Sequence, residues 1–305
     1  MTKYHIPVML DECLKGLQIE PGGTYVDVTF GGGGHSKAIL KQLSPQGRLL
    51  AFDQDNDAIN NTKEFTNRSF TFIKANFRYL QKYLRLHGIR HVDGVLADLG
   101  VSSHQINEGS RGFSTRFDAP LDMRMDQQTR LSAYEVIQNY SEQQLHKLLG
   151  MYGEIRNAKT LANALVGTRQ HQELKTTFQL IEVLKKHAPR GREFKYYAQV
   201  FQALRIEVNE EMAALEEFLE QTAEVIKPQG RLVVMSYHSL EDRLVKHFIQ
   251  KGKFFGSVEK DFFGNEIKPF KAVNRKPIEA NQQELTINSR SRSAKLRVAE
   301  RQENG

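Results

Sequence analysis

Glycines, carboxylates and one dense polar cluster stand at the ends of apolar runs in this chain. Asp27-Val-Thr-Phe-Gly31-Gly-Gly-Gly34-His35-Ser36 lies between the β-branched run Thr24 to Phe30 and a helical pattern from Ser36 to Leu43. Glycine at such a junction lets the backbone turn tightly and approach a ligand at the start of a helix. Asp53 closes the next apolar run, 22 residues after Gly31, where a carboxylate accepts both hydroxyls of an adenosine ribose. Asn76-Phe77 follows the third run and offers a ring to an adenine, although a lone phenylalanine serves a core equally well. Asp98 ends the fourth run in Asp98-Leu-Gly-Val-Ser-Ser-His-Gln105, and Ser236-Tyr-His-Ser-Leu-Glu-Asp242 ends a fifth. Polar groups at these strand ends face the place where cofactor and substrate meet. A dinucleotide fingerprint would need a third glycine at 36 or 37, and Ser36 and Lys37 stand there. A hydrolase triad bunched within Ser236–Asp242 lacks the strained elbow that presents a nucleophile, and is rejected. A simpler reading of that cluster makes Ser239 the cap of the next helix, with Asp242 at its third position.

These residues need a scaffold, and the pattern supplies one. Thr24–Phe30, Arg48–Asp53, Phe70–Lys74 and Val92–Asp98 read as strands separated by helical stretches, the signature of βαβ units and a parallel sheet. The rhythm stops after Gly100. Residues 101–128 form a Ser-, Gly- and Arg-rich loop too long for an ordinary connection. From Leu131 to about Asn209 the pattern is helical, and Val208, Met212, Leu215, Leu219, Thr222 and Ile226 mark one amphipathic face. Lys227-Pro-Gln-Gly230 stops that helix, and Arg231–Ser236 resumes the α/β alternation. The expectation is a discontinuous Rossmann-like domain, 1–105 with 216–305, carrying an inserted helical domain at 106–215.

The segment acidic-x-Thr-x-Gly-x-Gly at Asp27–Gly33 resembles the first motif of class I S-adenosylmethionine-dependent methyltransferases. Longer blocks carry a more specific likeness. His5-Ile-Pro-Val-Met-Leu10, Asp27 to Ser36, Asp98 to Ser103, Arg111-Gly-Phe-Ser114 and Pro120-Leu-Asp-Met-Arg-Met-Asp126 resemble the bacterial ribosomal RNA small subunit methyltransferase H family. So do Tyr152-Gly-Glu154, Phe201 to Asn209, Ser236 to Arg243 and Ser291 to Arg297. Departures are small: His104 stands where that family often has proline, Ala119 where it often has glycine, and Tyr237 where it often has phenylalanine. The resemblance implies an α/β fold of class I with a mostly parallel sheet, and methylation of N4 of a cytidine in the decoding region of 16S rRNA. It implies S-adenosylmethionine as cofactor, no metal, and a cofactor site of Gly33, Gly34, His35, Asp53, Phe77, Asp98 and Gln105. Of these, His35 and Gln105 rest on the resemblance alone. Asp98, Ser236, His238 and Asp242 are the candidates for handling the cytosine amine. Phe113 and Tyr237 are candidates to stack on the base, and Arg124, Arg290 and Arg292 to meet phosphates.

Composition agrees with a globular, polyanion-binding protein. The 305 residues are 39% hydrophobic and 26% charged, with a formal charge of +7, which argues against global disorder. Residues 246–305 hold 13 basic and 7 acidic residues, a bias that suits phosphate neutralisation, though a solvated lysine-rich face would look the same. One cysteine, Cys13, excludes an intramolecular disulfide and a multi-cysteine metal site, and reads as a small buried apolar residue. No apolar run approaches the roughly 20 residues that span a bilayer, and the N-terminus lacks a signal-peptide core. A cytoplasmic enzyme whose partner is the small ribosomal subunit, with no membrane contact, is expected, and a homodimer is one assembly open to it. Two other classes stay in view: an NAD-dependent oxidoreductase, separable by titration with NADH, and a non-catalytic RNA-binding assembly factor, separable by the absence of methyl transfer.

Overall fold

The computed structural model describes residues 7–303; His5 and Ile6 of the first block lie outside them. The chain divides into two compact units, Met1–Gly100 with Met212–Gly305, and Val101–Glu211.

The first unit begins with helix α1 (Leu10–Leu17) and strand β1 (Thr24–Asp27). Helix α2 (Gly34–Leu40), β2 (Arg48–Asp53), the short α3 (Ala58–Asn61), β3 (Phe70–Lys74), α4 (Leu80–Leu86) and β4 (Val92–Asp98) follow. The second unit holds α5 (Ser103–Asn107), α6 (Ala133–Asn139), α7 (Glu142–Gly153), α8 (Ala158–Arg169), α9 (Thr177–Lys185) and α10 (Glu193–Val208). The chain then returns through α11 (Glu211–Val225), β5 (Ile226–Ser236), α12 (Ser239–Lys251) and a small hairpin, β6 (Glu259–Lys260) with β7 (Glu266–Ile267). It finishes with β8 (Phe270–Ala272), α13 (Gln282–Ile287) and β9 (Lys295–Arg301). Among the described residues no helix is long and apolar enough to cross a membrane.

The main sheet runs β3-β2-β1-β4-β5-β9-β8. The first five strands are parallel, and β9 lies antiparallel to β5, from Arg231 opposite Glu300 to Ser236 opposite Lys295. Strands buried on both faces must be apolar at successive positions, and they are: Val26, Leu50, Phe52, Val95 and Val234 join one core, while Tyr25, Leu49, Leu96, Val233 and Met235 join the other. Strand order reverses between β1 and β4, the point where α/β sheets open a ligand crevice beyond the carboxyl ends of their strands. Asp27, Asp53 and Asp98 each terminate a strand at that edge.

Two expectations are adjusted here. Lys227–Gly230 does not stop the helix: α11 has already ended at Val225, the segment lies inside β5, which starts at Ile226, and the pairing of β5 with β4 slips between Val92 and Gly94. The slip accommodates Pro228 and Gln229 (φ 66°) within the strand, as a bulge does. The C-terminal segment is also more than a basic tail. Leu296, Val298 and Ala299 are buried in β9, between β5 and β8.

The second unit packs its helices around Leu145, Leu161, Leu180, Val200 and Leu204. Its long loop is an organised structure. Arg111 is buried and donates to the carbonyls of Arg124 (2.8 Å) and Met125 (3.1 Å). Asn209, at the end of α10, donates to Met123 O at 2.8 Å and accepts from Met125 N at 2.7 Å.

Candidate active site

The glycine loop is built so that side chains cannot replace it. Gly33 has φ 75° and caps α2, and a Cβ there would fall 2.7 Å from the Phe65 ring. A Cβ on Gly34 would lie 2.3 Å from Pro7 Cγ. Beneath the loop Asp27 is buried, its Oδ2 accepting from Ser36 Oγ at 2.7 Å and its Oδ1 from Thr29 N at 3.1 Å. Burial pushes the Asp27 carboxyl above the ordinary carboxylate range. Thr29 Oγ1 in turn accepts the Asp98 N–H at 2.7 Å, which ties β1 to the end of β4.

Two further carboxylates face this loop's neighbourhood. Asp53 accepts Gly31 N at 2.8 Å on Oδ2 and Asp55 N at 2.9 Å on Oδ1, and burial raises its pKa to about 6. Asp98 accepts the Tyr237 hydroxyl on Oδ1 at 2.7 Å, and its Oδ2 lies 4.0 Å from His35 Nδ1. It too is raised to about 6 by burial, with the His35 ring pulling in the other direction. The other His35 ring nitrogen, Nε2, lies 3.2 Å from Val8 O, so the imidazole is held between α1's approach and Asp98. Burial and the Asp98 charge push the Tyr237 hydroxyl's pKa up, so it stays protonated and donates. Phe77 is half-buried, edge-to-face with Phe218 at 5.3 Å between centroids. Cys13 is buried, as its solitude suggested, and burial raises its thiol pKa.

The Ser236–Asp242 segment separates into three directions. Ser236 is buried and its Oγ donates to Lys295 O at 3.4 Å, towards β9. His238, not Ser239, caps α12: its Nδ1 accepts Glu241 N at 3.4 Å, and Glu241, not Asp242, completes the capping box. The reason is that the helix starts one residue earlier than the serine pattern suggests. Glu241 is buried, its Oε2 accepts Tyr237 N at 2.9 Å, and its Oε1 lies 3.1 Å from His238 Nε2. Sequence reasoning missed Glu241; the spacing of an acid three residues after His238 was the available signal. Asp242 points at β9, bonded to Arg297 Nε at 2.7 Å and Nη2 at 3.2 Å, with Lys295 Nζ at 3.7 Å. The structure thus gathers Gly33, Gly34, His35, Asp53, Asp98 and Tyr237 around the switch point, and engages Ser236 and Asp242 with the antiparallel edge.

A family model described as the MraW methylase family matches residues 2–302. The chain belongs to the MraW methylase family. It is 60% identical over 299 residues to ribosomal RNA small subunit methyltransferase H of Cytophaga hutchinsonii, covering 98% of this chain and 100% of the relative. It is 55% identical to the protein of that name from Flavobacterium johnsoniae, over 98% of each chain. A solved rRNA methylase from Streptococcus thermophilus aligns over 96% of this chain and 94% of its own, at 13% identity and a TM-score of 0.41.

The main sheet has the class I S-adenosylmethionine-dependent methyltransferase arrangement, a mostly parallel Rossmann-like sheet with one antiparallel strand near its edge. The remaining sequence candidates divide between the two units. In the helical unit Gln105 is buried, and its Oε1 accepts Ser102 N at 2.9 Å in a capping box for α5. Phe113 is half-buried against the helical core with the Arg111 guanidinium 5.7 Å from its ring. Arg124 is fully engaged: its Nε and Nη2 meet Asp122 at 2.8 and 2.7 Å, and Nη1 donates to Thr129 O at 2.7 Å. In the first unit Arg290 is half-buried and Arg292 exposed, on the turn before β9.

Proposed function

We propose that this chain transfers a methyl group from S-adenosylmethionine to N4 of a cytidine in the decoding region of 16S rRNA, within the small ribosomal subunit of the cytoplasm. The observation that carries the reading is the convergence of a glycine turn with no room for side chains and two strand-end carboxylates, Asp53 and Asp98, at the sheet's switch point. Membership of the MraW methylase family and the names of its relatives support the substrate.

The donor set fits such a cofactor. Gly33 and Gly34 leave the backbone open to close approach, and Asp53 has lone pairs left for ribose hydroxyls beyond the two it gives to Gly31 and Asp55. Asp98 is a half-buried carboxylate whose raised pKa reports an unmet demand for positive charge; the cofactor's ammonium group supplies it. Phe77 offers its half-buried ring to the adenine, and His35 braces Asp98. Gln105 belongs to this set through the family resemblance. When bound, the cofactor supplies a methyl group on a sulfonium, an electrophile with an excellent leaving group, so no metal or covalent nucleophile is required.

The exocyclic amine of cytosine is a poor nucleophile because its lone pair is delocalised into the ring. The protein's task is to hold that nitrogen within about 3–3.5 Å of the methyl carbon, in line, which supplies most of the acceleration in such transfers. His238 and Tyr237, at the mouth between β4 and β5, are the groups on this reading that grip the base. The amine proton leaves once the new bond has made it acidic. Residues 1–105 and 216–305 hold the cofactor, and the helical insertion at 106–215 recognises the RNA. Incubation with labelled cofactor and small subunits lacking the modification tests the whole reading: label is expected at N4 of one decoding-region cytidine. Label on another base, or none, overturns it.

A further inference from the structure

The connection from α9 to α10 concentrates charge in the helical unit. Lys185, Lys186, Arg190, Arg192 and Lys195 stand there with Glu193 as the sole acid. Lys185 is paired with Glu182, and Glu193 is engaged with the turn, accepting Gly191 N at 2.9 Å. Lys186, Arg190, Arg192 and Lys195 are exposed. Their side chains form no hydrogen bond or ion pair among the described residues. The loop that presents them is fixed: Arg192 N donates to Pro189 O at 3.0 Å, and Gly191 turns the chain at φ 73°. In the middle of this charge Phe194 is 85% exposed, its ring edge-on to buried Tyr197 at 6.3 Å. A phenylalanine that exposed contributes almost nothing to folding, while Tyr197 anchors its base in the helical core.

We infer that the α9–α10 loop docks single-stranded ribosomal RNA, with phosphates on Lys186, Arg190, Arg192 and Lys195 and an unpaired base stacked on Phe194. The inference rests on the ribosomal substrate proposed above, and adds a contact surface to it. Sequence-tolerant RNA binding needs spread cations and an aromatic face, and this loop carries both. A protein interface needs a contiguous apolar centre, and one ring surrounded by cations does not make one. The contrast with the β6–β7 hairpin is instructive. Phe262 and Phe263 are 99% and 85% exposed there, but they sit among Glu259, Asp261 and Glu266, and two of the nearby lysines, Lys253 and Lys268, are already paired with Glu259 and Glu266. A cleft of about 430 Å³ adjoins the loop through Lys186 and His187, with half-exposed Phe178 on its wall. Asp118 and Glu182 also line it, so the phosphates belong on the loop.

The test compares the full-length protein with a variant carrying Lys186→Gln, Arg190→Gln, Arg192→Gln and Lys195→Gln, and with Phe194→Ala. Binding to naked 16S rRNA and to unmodified small subunits is measured by fluorescence anisotropy across a salt series, with calorimetric cofactor binding as the check on folding. Each lost phosphate contact lowers the slope of log K against log salt by about 0.7, so the fourfold variant is expected to lose about 3 in slope and about 10²- to 10³-fold in affinity near 0.1 M salt. Phe194→Ala is expected to lose about tenfold with an unchanged slope. Arg190→Lys with Arg192→Lys is expected to keep the wild-type slope. A fourfold variant with wild-type slope and affinity overturns the inference. So does a loss confined to assembled subunits with naked rRNA unaffected, which assigns the loop to an acidic protein partner. A wild-type protein that neither binds nor methylates any ribosomal RNA removes the substrate reading instead.

Discussion

Replacing Asp98 with asparagine keeps the side chain's shape and leaves its carbonyl able to accept the Tyr237 hydroxyl, now at 2.7 Å, but removes the charge. In the free protein that charge opposes folding. Burial raises the carboxyl from 3.8 to about 6, so the folded chain holds the proton more tightly than the unfolded chain does. The destabilisation is therefore complete above the folded pKa, shrinks as pH falls through about 6, and is gone below about 4. That rise corresponds to about 3 kcal/mol. The Asp98 side chain is 24% exposed, and screening by that water reduces the expected figure to about 1–2 kcal/mol. Urea unfolding followed by circular dichroism at pH 8, 5 and 4 reads this directly. Asp98→Asn is expected to unfold at higher urea than wild type at pH 8, by a smaller margin at pH 5, and together with it at pH 4. The same substitution removes one charge-assisted hydrogen bond to the cofactor's ammonium and is expected to weaken cofactor binding about 10- to 100-fold at pH 8. A variant with wild-type stability at every pH and unchanged affinity would refute both the burial argument and the role of Asp98.

Asp53→Ala is expected to weaken cofactor binding by about 2–4 kcal/mol, read by calorimetry on a folded variant; unchanged affinity would remove Asp53 from the site. Because Asp53 and Asp98 both have pKa values near 6 and bind as carboxylates, wild-type affinity is expected to hold above pH 7 and to fall as pH drops through 6. A flat profile down to pH 5 contradicts this. His238→Ala is expected to lower methyl transfer about 10²-fold or more with near-normal cofactor affinity, and to lose about 1 kcal/mol of capping as well. His238→Asn keeps the cap, so full turnover in that variant would assign His238 to capping alone. Asp242→Ala strands Arg297, whose side chain is 9% exposed, and is expected to destabilise the fold by about 3 kcal/mol. If it folds as well as wild type yet loses turnover, Asp242 belongs to the chemistry instead.

The parallel part of the sheet was legible because strands covered on both faces are written as unbroken apolar runs between turn residues. β1 to β4 end where those runs end, and the carboxylates that close β2 and β4 mark the ligand edge. β9 was illegible for the opposite reason. Lys295, Arg297, Glu300 and Arg301 give it the composition of a solvated tail, and its apolar members, Leu296, Val298 and Ala299, are too few to outweigh them. What makes the strand is distant in sequence: Asp242 neutralises Arg297, and β5 and β8 take its hydrogen bonds. The cap of α12 failed for a smaller reason. Ser239 is the better cap by residue type, but His238 and Glu241 have the same three-residue spacing and satisfy each other.

The arginines show where sequence reasoning about charge runs out. Those at 111 and 124 stood among small residues and aromatics, the setting expected of phosphate contacts. Folding instead turns Arg111 inward onto two carbonyls and closes Arg124 onto Asp122 and Thr129. Arg190 and Arg192, flanking a glycine in a short turn, carried no comparable signal, yet they remain exposed and without side-chain partners among the described residues. An arginine's availability depends on which acceptors the fold brings within about 3 Å of its five donors, and those acceptors are mostly backbone carbonyls that composition cannot reveal. Charge counted along the chain therefore bounds how strongly a protein can attract RNA. Which cations meet the phosphates is decided by those the fold leaves exposed, and on the inference above the set around Phe194 is one such group.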